Sequence, residues 1–454
     1  LSRLFPRHLC RRDPLVRQPA AQLAADAGDA EANTFLRRPG GILRPPPFCQ
    51  GNRRDDAGDP ATNSWKRGAN MVIIHAYIDP VVGQPIQDGF LRFGETIEAM
   101  GPMEHYVPVP GETCFDARGR WLLPGLVDIH THLGLFGDSV GFEAEDCNEL
   151  GDPITPQLRV IDAINPMDRS FQEAREAGIT SVAVAPGSSN PIAGQIAAIH
   201  TWGRRIDDMI LRAPLAMKFA LGENPKRDYH SRNENPVTRM GTAAMIRQAL
   251  LEARQYGQKQ QAAQENPCLE PPEFQMKHEA LLPVLRGEIQ AHFHALRLDD
   301  IFTAMRISRE FGLDYVIIHG TDAYLAADIM AQEGTRIVTG PNLTDRGKPE
   351  QRNMTFAGVA ALRKAGVLCA VCTDHPETPL QYLPLCGALA EKNGLGHREA
   401  LEAITIQPAR IAGLDREIGS LEPGKRADLA LFDGDPLVLT SRCQGVWIQG
   451  RKCV

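Results

Sequence analysis

The stretch LLPGLVDIHTHLG, from Leu122 to Gly134, decides how the rest of the chain is interpreted. Its apolar run ends in two histidines separated by one residue, His130 and His132. Side chains at positions i and i+2 of a strand lie on the same face, so the two imidazoles are expected to point in the same direction. Neutral imidazoles held side by side can ligate a divalent metal. The stretch therefore predicts a strand whose C-terminal end contributes to a metal site.

Length and composition favour one large enzyme-like body. The 454 residues suit an α/β barrel, which commonly exceeds about 250 residues, together with a minor domain. The chain has 49 basic and 56 acidic residues, and a net charge of −7 gives no sign of nucleic-acid binding. No apolar run approaches the roughly 20 residues of a membrane span. Ten cysteines without framework spacing, and no signal segment, favour reduced thiols and a cytoplasmic location.

The segment 1–70 differs in composition from everything after it. Arginine, proline, glycine and aspartate occur there without a hydrophobic period, which predicts disorder. The chain begins with Leu1, whereas Met71 opens the first convincing strand, MVIIHAYI, so a non-native extension is a second interpretation. An Arg-rich transit peptide is a third, and acidic residues such as Asp26 and Glu31 argue against it.

Short strands punctuated by turns occur on both sides of a central body. They fill 71–121 and 419–454, and we expect the two segments to pair into one small sheet domain. Between them, in 122–418, apolar runs alternate with helical stretches, which is typical of a parallel sheet. Eight runs predict a (β/α)8 barrel with its active site at the C-terminal ends of the strands. The runs are WLLPGLVDIH, ITSVAVAP, QIAAIHTW, APLAMKFAL, EIQAHFHA, DYVIIHG, RIVTG and VLCAVCTD.

Two parts of this central body are open to another interpretation. QIAAIHTW, the third run, could equally belong to a long loop. The segment 255–272, rich in glutamine and proline, is predicted to be a surface insertion that follows a helix over 238–257.

Metal-binding residue types recur where the predicted strands end. A single pair of histidines is a weak signal, but several strand ends that agree predict one shared site at the barrel mouth. Besides the first pair, these residues are Lys218, His292, His294, His319 and Asp374. His292 alternates with His294, and we expect it to be structural rather than a ligand.

These motifs resemble those of the amidohydrolase superfamily of metal-dependent hydrolases, in particular its imidazolonepropionase-like and prolidase-like branch. The resemblance covers 71–454 and is carried by PGLVDIHTHLG, MKFALGENPK, HFHA, IIHG, TDHP and GSLEPGKRADLALFDGDP. It implies that the two flanking segments form a composite β-sandwich beside the barrel. It also implies a small-molecule substrate and one or two divalent ions, with zinc expected. We further expect a homo-oligomer.

The resemblance assigns roles by position. It implies metal ligation by His130, His132, Lys218, His294, His319 and Asp374. Lys218 corresponds to a lysine that, in family members with two metals, is carboxylated by carbon dioxide and bridges the two ions. The alternative interpretation of Lys218 is a salt-bridged or snorkelling lysine. Glu223 is the other candidate for the ligand that bridges the two ions. Asp374 corresponds to the general base and acid, while His319 or an Arg-bearing loop could stabilise the developing oxyanion.

The implied reaction is hydrolysis of a C–N bond in an amide, a cyclic amide or a dipeptide by a metal-activated water. Deamination of an aminated ring is an alternative that would use one metal and usually no lysine. A non-catalytic oligomeric scaffold is a further alternative, which the intact set of ligands disfavours. Loops after the second, fourth and seventh strands could contact the substrate, among them GPNLTDR with Asn342 and Arg346.

Overall fold

The computed structural model describes residues 71–138 and 140–454, and the predictions for 1–70 fall outside the described residues. The described strands form two eight-stranded sheets, one assembled from both ends of the described chain and one barrel-like. None of the helices in these ranges combines the length and hydropathy of a membrane span.

The first sheet contains strands from both flanking segments. Antiparallel pairing of Leu429–Phe432 with Trp121–Pro124 connects the C-terminal strands to the N-terminal ones. Apolar side chains from both segments share one core, including Ile73, Leu122 and Trp447. The strands are β1 Met71–Ile78, β2 Ile86–Phe93, β3 Ile97–Pro102, β4 Thr113–Asp116, β5 Trp121–Pro124, β14 Leu429–Phe432, β15 Cys443–Ile448 and β16 Arg451–Lys452.

The second sheet is a nearly closed barrel in which all eight predicted runs contain a strand. Each strand pairs with the next one along the chain. The strands are β6 Leu126–Thr131, β7 Ile179–Val184, β8 Ile192–His200, β9 Ile210–Ala220, β10 Gln290–Ala295, β11 Tyr315–His319, β12 Arg336–Thr339 and β13 Cys369–Val371.

The first run is divided between the two sheets at Gly125. Its residues WLLP form β5 of the flanking sheet, and only LVDIHT belongs to the barrel. A Cβ at Gly125 would lie 2.1 Å from Thr180 Oγ1, so glycine is required where the chain passes from one sheet to the other.

The strict (β/α)8 pattern was wrong at the third run. β8 is a strand, but it pairs antiparallel with both β7 and β9. Its connections, 185–191 and 201–209, contain no α-helix and are shorter than the dozen or more residues that a parallel crossover requires. The fold is therefore an α/β, TIM-like barrel in which one strand is reversed.

Ten α-helices accompany the strands in the described ranges. The predicted insertion at 255–272 was partly wrong, because α3 continues to Glu265 through glutamine, lysine and alanine, which favour helix, and ends before Pro267. The helices are α1 Arg169–Glu176, α2 Glu223–His230, α3 Arg239–Glu265, α4 Met276–Leu285, α5 Leu298–Phe311, α6 Ala327–Gln332, α7 Ala357–Lys364, α8 Leu383–Lys392, α9 His397–Ala403 and α10 Ile406–Ile411.

The Asp128 side chain bridges the seam between the first and last barrel strands. Within the described strands, no ladder joins β6 to β13. Instead, the buried Asp128 carboxylate of β6 accepts hydrogen bonds from Thr373 N and Thr373 Oγ1, at 2.8 and 2.7 Å. Thr373 directly precedes Asp374, so this contact brings the two parts of the candidate site together.

Candidate metal centre

Two histidines of the first barrel strand converge on one aspartate of the last. His130 Nε2 and His132 Nε2 each lie 3.3 Å from Asp374 Oδ1. The pairing of β6 with β7 has a register irregularity between Asp128 and Thr131, beside these histidines. All three residues are buried.

Hydrogen bonds fix the orientation of two of the imidazoles. His132 Nδ1 lies 2.7 Å from the carbonyl oxygen of Ala185, and His319 Nδ1 lies 2.6 Å from that of Gly340. A carbonyl oxygen only accepts, so each Nδ1 carries a proton and donates it. The Nε2 of a neutral ring is then the nitrogen with a free lone pair, the arrangement commonly found in metal-ligating histidines.

Backbone conformation supports a functional role for two of the strand ends. His319 has a φ of 73° and Asp374 a φ of 53°, which are unusual for residues other than glycine. Such conformations cluster at functional sites, where the surrounding structure enforces them.

Lys218 lies inside the barrel beside the first histidine. Its side chain is fully buried, and its Nζ lies 3.3 Å from His130 Nε2. Burial lowers the pKa of Lys218 to about 8, so a neutral amine is accessible near physiological pH. Complete burial argues against the snorkelling alternative.

His294 stands slightly apart from this group. Its ring is edge-on to that of His319, with centroids 4.5 Å apart, and both of its nitrogens lack a hydrogen-bond partner among the described residues. The nearest carboxylate is that of Glu350, whose Oε1 lies 4.0 Å from His294 Nε2.

The electrostatics favour the protonation states that metal ligation needs. Burial lowers the pKa of His130 and His294 well below the usual value, and that of His319 to about 4. Burial alone would raise the pKa of Asp374, but the charge of His319 and the contacts with His130 and His132 outweigh it and hold the pKa well below its usual range. His130, His294 and His319 are therefore neutral imidazoles near an ionised carboxylate.

His132 differs from its neighbours. Burial lowers its pKa, but Cys147 and Asp374 outweigh burial and raise it to about 10. In the metal-free protein a proton on His132 then sits beside the Asp374 carboxylate, in the position that a bound cation would take.

The donor set fits a divalent ion. One ligand atom from each of His130, His132 and Asp374 can be chosen so that all three lie within 4.8 Å of one another. Asp374 Oδ1 and His130 Nδ1 are buried without a hydrogen-bond partner in the part of the chain that is described. Imidazole nitrogen and carboxylate oxygen are the donors that zinc takes in catalytic sites.

The structure places the remaining sequence candidates outside this group. The Glu223 carboxylate lies 3.7 Å from Arg227, on the first turn of α2, so it pairs with a cation there. His292 is buried in β10 with its Nε2 3.2 Å from Gln290 Oε1, as expected for a structural histidine.

Two buried carboxylates were missed by the sequence reasoning. Asp128 was visible as a charge inside the apolar LVDIH, and it also accepts the His130 backbone N–H at 3.0 Å. Glu350 follows the GPNLTDR loop by a few residues and gave no local signal.

A cavity of about 1060 Å³ lies between the loop after β6 and α4. None of the candidate ligands lines it, although Leu135, Cys147 and Pro186 do. Leu135 N donates to His132 O at 3.0 Å, so the cavity neighbours the centre without containing it.

Comparison with known proteins shows the family. A model of the amidohydrolase family matches residues 321–454. The imidazolonepropionase of Maricaulis maris (strain MCS10) is 30% identical over 364 residues, which cover 74% of this chain and 84% of that protein. The chain belongs to the amidohydrolase superfamily. This amidohydrolase is therefore an enzyme that acts on carbon–nitrogen bonds, which confirms the resemblance found in the motifs.

Two further relatives agree with this assignment. A crystal structure of an amidohydrolase from Thermotoga maritima MSB8 matches this amidohydrolase with a TM-score of 0.82 and 38% identity, over 85% of this chain and 99% of that one. Amidohydrolase tasK of Hapsidospora irregularis is 32% identical over 359 residues, or 74% of this chain. The match covers only 36% of that relative's length.

Proposed function

We propose that this amidohydrolase hydrolyses the C–N bond of a small amide, cyclic amide or dipeptide, with Asp374 as general base and then general acid. The observation that carries the proposal is the position of Asp374 Oδ1, 3.3 Å from Nε2 of both His130 and His132. A carboxylate at this point is held ionised and can accept a proton from a water molecule in the site.

The chain's residues would perform the reaction in two proton transfers. The water oxygen bonds to the carbonyl carbon while Asp374 takes one of the water protons. Asp374 then delivers that proton to the nitrogen, and the C–N bond breaks with its electron pair on nitrogen. The products are a carboxylic acid and an amine, so the reaction needs no other reagent than water.

A divalent ion fits the donor set, and we propose zinc held by His130, His132 and Asp374, with His294, His319 and Lys218 available for a second ion. When bound, such an ion acts as a Lewis acid and lowers the pKa of water towards about 7. The hydrogen bond from His319 Nδ1 to Gly340 favours a ligand role for His319 over donation to an oxyanion, because the neutral ring presents an acceptor. Carboxylation of Lys218 is supported by its burial and lowered pKa.

We also propose a β-sandwich built from 71–124 and 419–454 and a barrel over 125–418, which moves the predicted boundary from 121/122 to Gly125 because β5 lies in the flanking sheet. Pairing between β5 and β14 supports it. Cytoplasmic location and homo-oligomeric state stay predictions from the sequence.

The function is tested by screening zinc-loaded protein against N-acyl amino acids, dipeptides, hydantoins and imidazolones, with products identified by mass spectrometry. For at least one class of substrate, we expect products whose summed mass exceeds that of the substrate by one water molecule. In Asp374→Asn, we expect kcat to fall by about 10²- to 10⁴-fold while the metal stays bound. Asp207→Asn, at a carboxylate that is 73% exposed, is the control. Ammonia release from an aminated ring alone would identify a deaminase, and full activity of metal-free protein would overturn the proposal.

A further inference from the structure

Glu350 is a buried carboxylate in which one of the two oxygens has no hydrogen-bond partner among the described residues. It lies in the single turn Pro349–Gln351 after β12 and is 2% exposed. Its Oε2 accepts the backbone N–H of Glu223 at 3.0 Å. Its Oε1 has no hydrogen-bond partner among residues 71–138 and 140–454. A buried acceptor without a partner requires an explanation, and a missing ligand is one.

The surroundings do not supply that partner. The neighbouring carboxylate of Asp300 is paired with Arg239 Nε at 2.9 Å. Lys348, two residues before Glu350, donates its Nζ to Asn224 Oδ1 at 3.1 Å. Arg239 and Lys348 thus make these contacts with other side chains, and neither is hydrogen-bonded to Glu350 Oε1.

The backbone is shaped around Glu350. Gly222 has a φ of +87°, and a Cβ there would lie 3.0 Å from Glu350 Oε2 and 3.3 Å from Asp300 Oδ2. The loop after β9 thus packs directly against this carboxylate, which fixes where Oε1 is presented.

Oε1 faces the catalytic side of the barrel. It lies 4.0 Å from His294 Nε2, and neither nitrogen of His294 has a partner within the described residues. This separation is too long for a hydrogen bond between the two side chains. A single polar atom can sit at hydrogen-bond distance from both, since two contacts of about 2.9 Å span a gap of this size.

We propose that Glu350 is a specificity-determining residue that accepts a hydrogen bond from an N–H group of the substrate. The favoured substrates are those that carry an amine or an amide N–H close to the scissile bond. A carboxylate accepts and never donates when ionised, so fully N-alkylated analogues leave Oε1 unpaired and bind less well. This inference rests on the proposed function, because it places the substrate beside His294 and Asp374.

The experiment measures binding rather than turnover. Zinc-loaded wild type, Glu350→Gln and the control Glu104→Gln, whose side chain is 78% exposed, are titrated with two matched pairs of probes. The pairs are hydantoin with 1,3-dimethylhydantoin, and glycinamide with its fully N-methylated analogue. Dissociation constants come from ligand-observed NMR, zinc content from elemental analysis, and folding from the melting temperature. Glu350→Asp, which withdraws the carboxylate by one methylene, serves if Glu350→Gln does not fold.

We expect wild type and Glu104→Gln to bind the N–H member of at least one pair about 10-fold more tightly, the range for a hydrogen bond to a charged group. Glu350→Gln should bind both members within about threefold of each other, with zinc content unchanged. No preference in wild type, or an unchanged preference in the variant, overturns the inference. Loss of zinc from Glu350→Gln also overturns it, because Glu350 would then be a ligand. If the preference is found but no C–N bond is cleaved, the proposed function fails and this inference stands.

Discussion

The Thr373–Asp128 contact should control both the stability of the barrel and its affinity for metal. Thr373 is fully buried, and its hydroxyl donates to the Asp128 carboxylate at 2.7 Å and accepts the His375 N–H at 3.2 Å. Thr373→Val keeps the shape and removes both bonds. Burial raises the pKa of Asp128 to about 7, so the experiment is done at pH 8, where most of this carboxylate is ionised. A hydrogen bond to a charged group contributes ~1.5–3 kcal/mol and an orphaned donor costs ~1 kcal/mol, so we expect the free energy of unfolding to fall by about 2–4 kcal/mol.

The same substitution should loosen the metal centre. Asp128 accepts the His130 N–H, and Thr373 precedes Asp374, so the lost hydroxyl bond is one of the contacts that hold the two ligands together, while the backbone bond from Thr373 N to Asp128 is kept. Residues that orient metal ligands typically contribute about 10- to 100-fold to metal affinity. We expect at least a tenfold weaker zinc affinity in Thr373→Val.

Urea unfolding and competition with a zinc chelator measure the two effects. Thr378→Val is the matched control, because Thr378 is equally buried but its hydroxyl donates to a neutral carbonyl, Leu343 O, at 3.2 Å. It should cost about 1 kcal/mol and leave zinc affinity unchanged. Two results together would refute this prediction: Thr373→Val has the same free energy of unfolding as Thr378→Val, and it binds zinc as tightly as wild type.

Two further predictions concern pH. Burial lowers the pKa of Lys218 from 10.5 to about 8, so the unfolded state binds the proton more tightly and the stability of metal-free wild type should rise between pH 8 and 10.5. In urea unfolding with a chelator present, Lys218→Met should be more stable than wild type by about 1–3 kcal/mol at pH 7. It should show no gain in stability at pH 10.5. In the flanking sheet, the hydrogen bond from Arg92 lowers the pKa of Glu112 from 4.5 to about 2, more than burial raises it. The ionised Glu112 stabilises the fold above pH 4.5, and this stabilisation is lost as the pH falls through about 2. Glu112→Gln should therefore lower the free energy of unfolding by about 1–2 kcal/mol at pH 7 and by less at pH 3. An equal loss of stability at both pH values would contradict the ion-pair explanation.

Local patterns predicted the barrel strands and proposed candidate ligands at their ends, because each inference depends on a few adjacent residues. The apolar run before His130 and the aspartate after VLCAVCT are examples. The direction of β8 could not be predicted in the same way, because an apolar run has no polarity of its own. What reverses β8 is the brevity of its connections, which becomes decisive only once the neighbouring strands are known.

Glu350 shows a second limit of local patterns. It lies in a polar loop where a solvated glutamate would be the ordinary interpretation. Its burial depends on the backbone of Glu223, which is 127 residues away in sequence, and on a glycine that lets the two loops approach. Contacts between residues this far apart in sequence form only when the barrel is assembled. They produce no hydrophobic periodicity in either segment from which they could be predicted.

Several of the buried polar atoms without a hydrogen-bond partner among the described residues occur together at the candidate site, and this grouping supports a functional role. A buried polar atom without a partner costs ~1–3 kcal/mol, a large part of a net folding stability of ~5–15 kcal/mol. Asp374 Oδ1, both nitrogens of His294 and Glu350 Oε1 are all buried, unpartnered and at or near the C-terminal ends of barrel strands. Hydrogen bonds within the protein would have satisfied them individually if stability alone determined these positions. Their grouping at one mouth supports the proposal that a cation binds on one side and a hydrogen-bond donor of the substrate on the other.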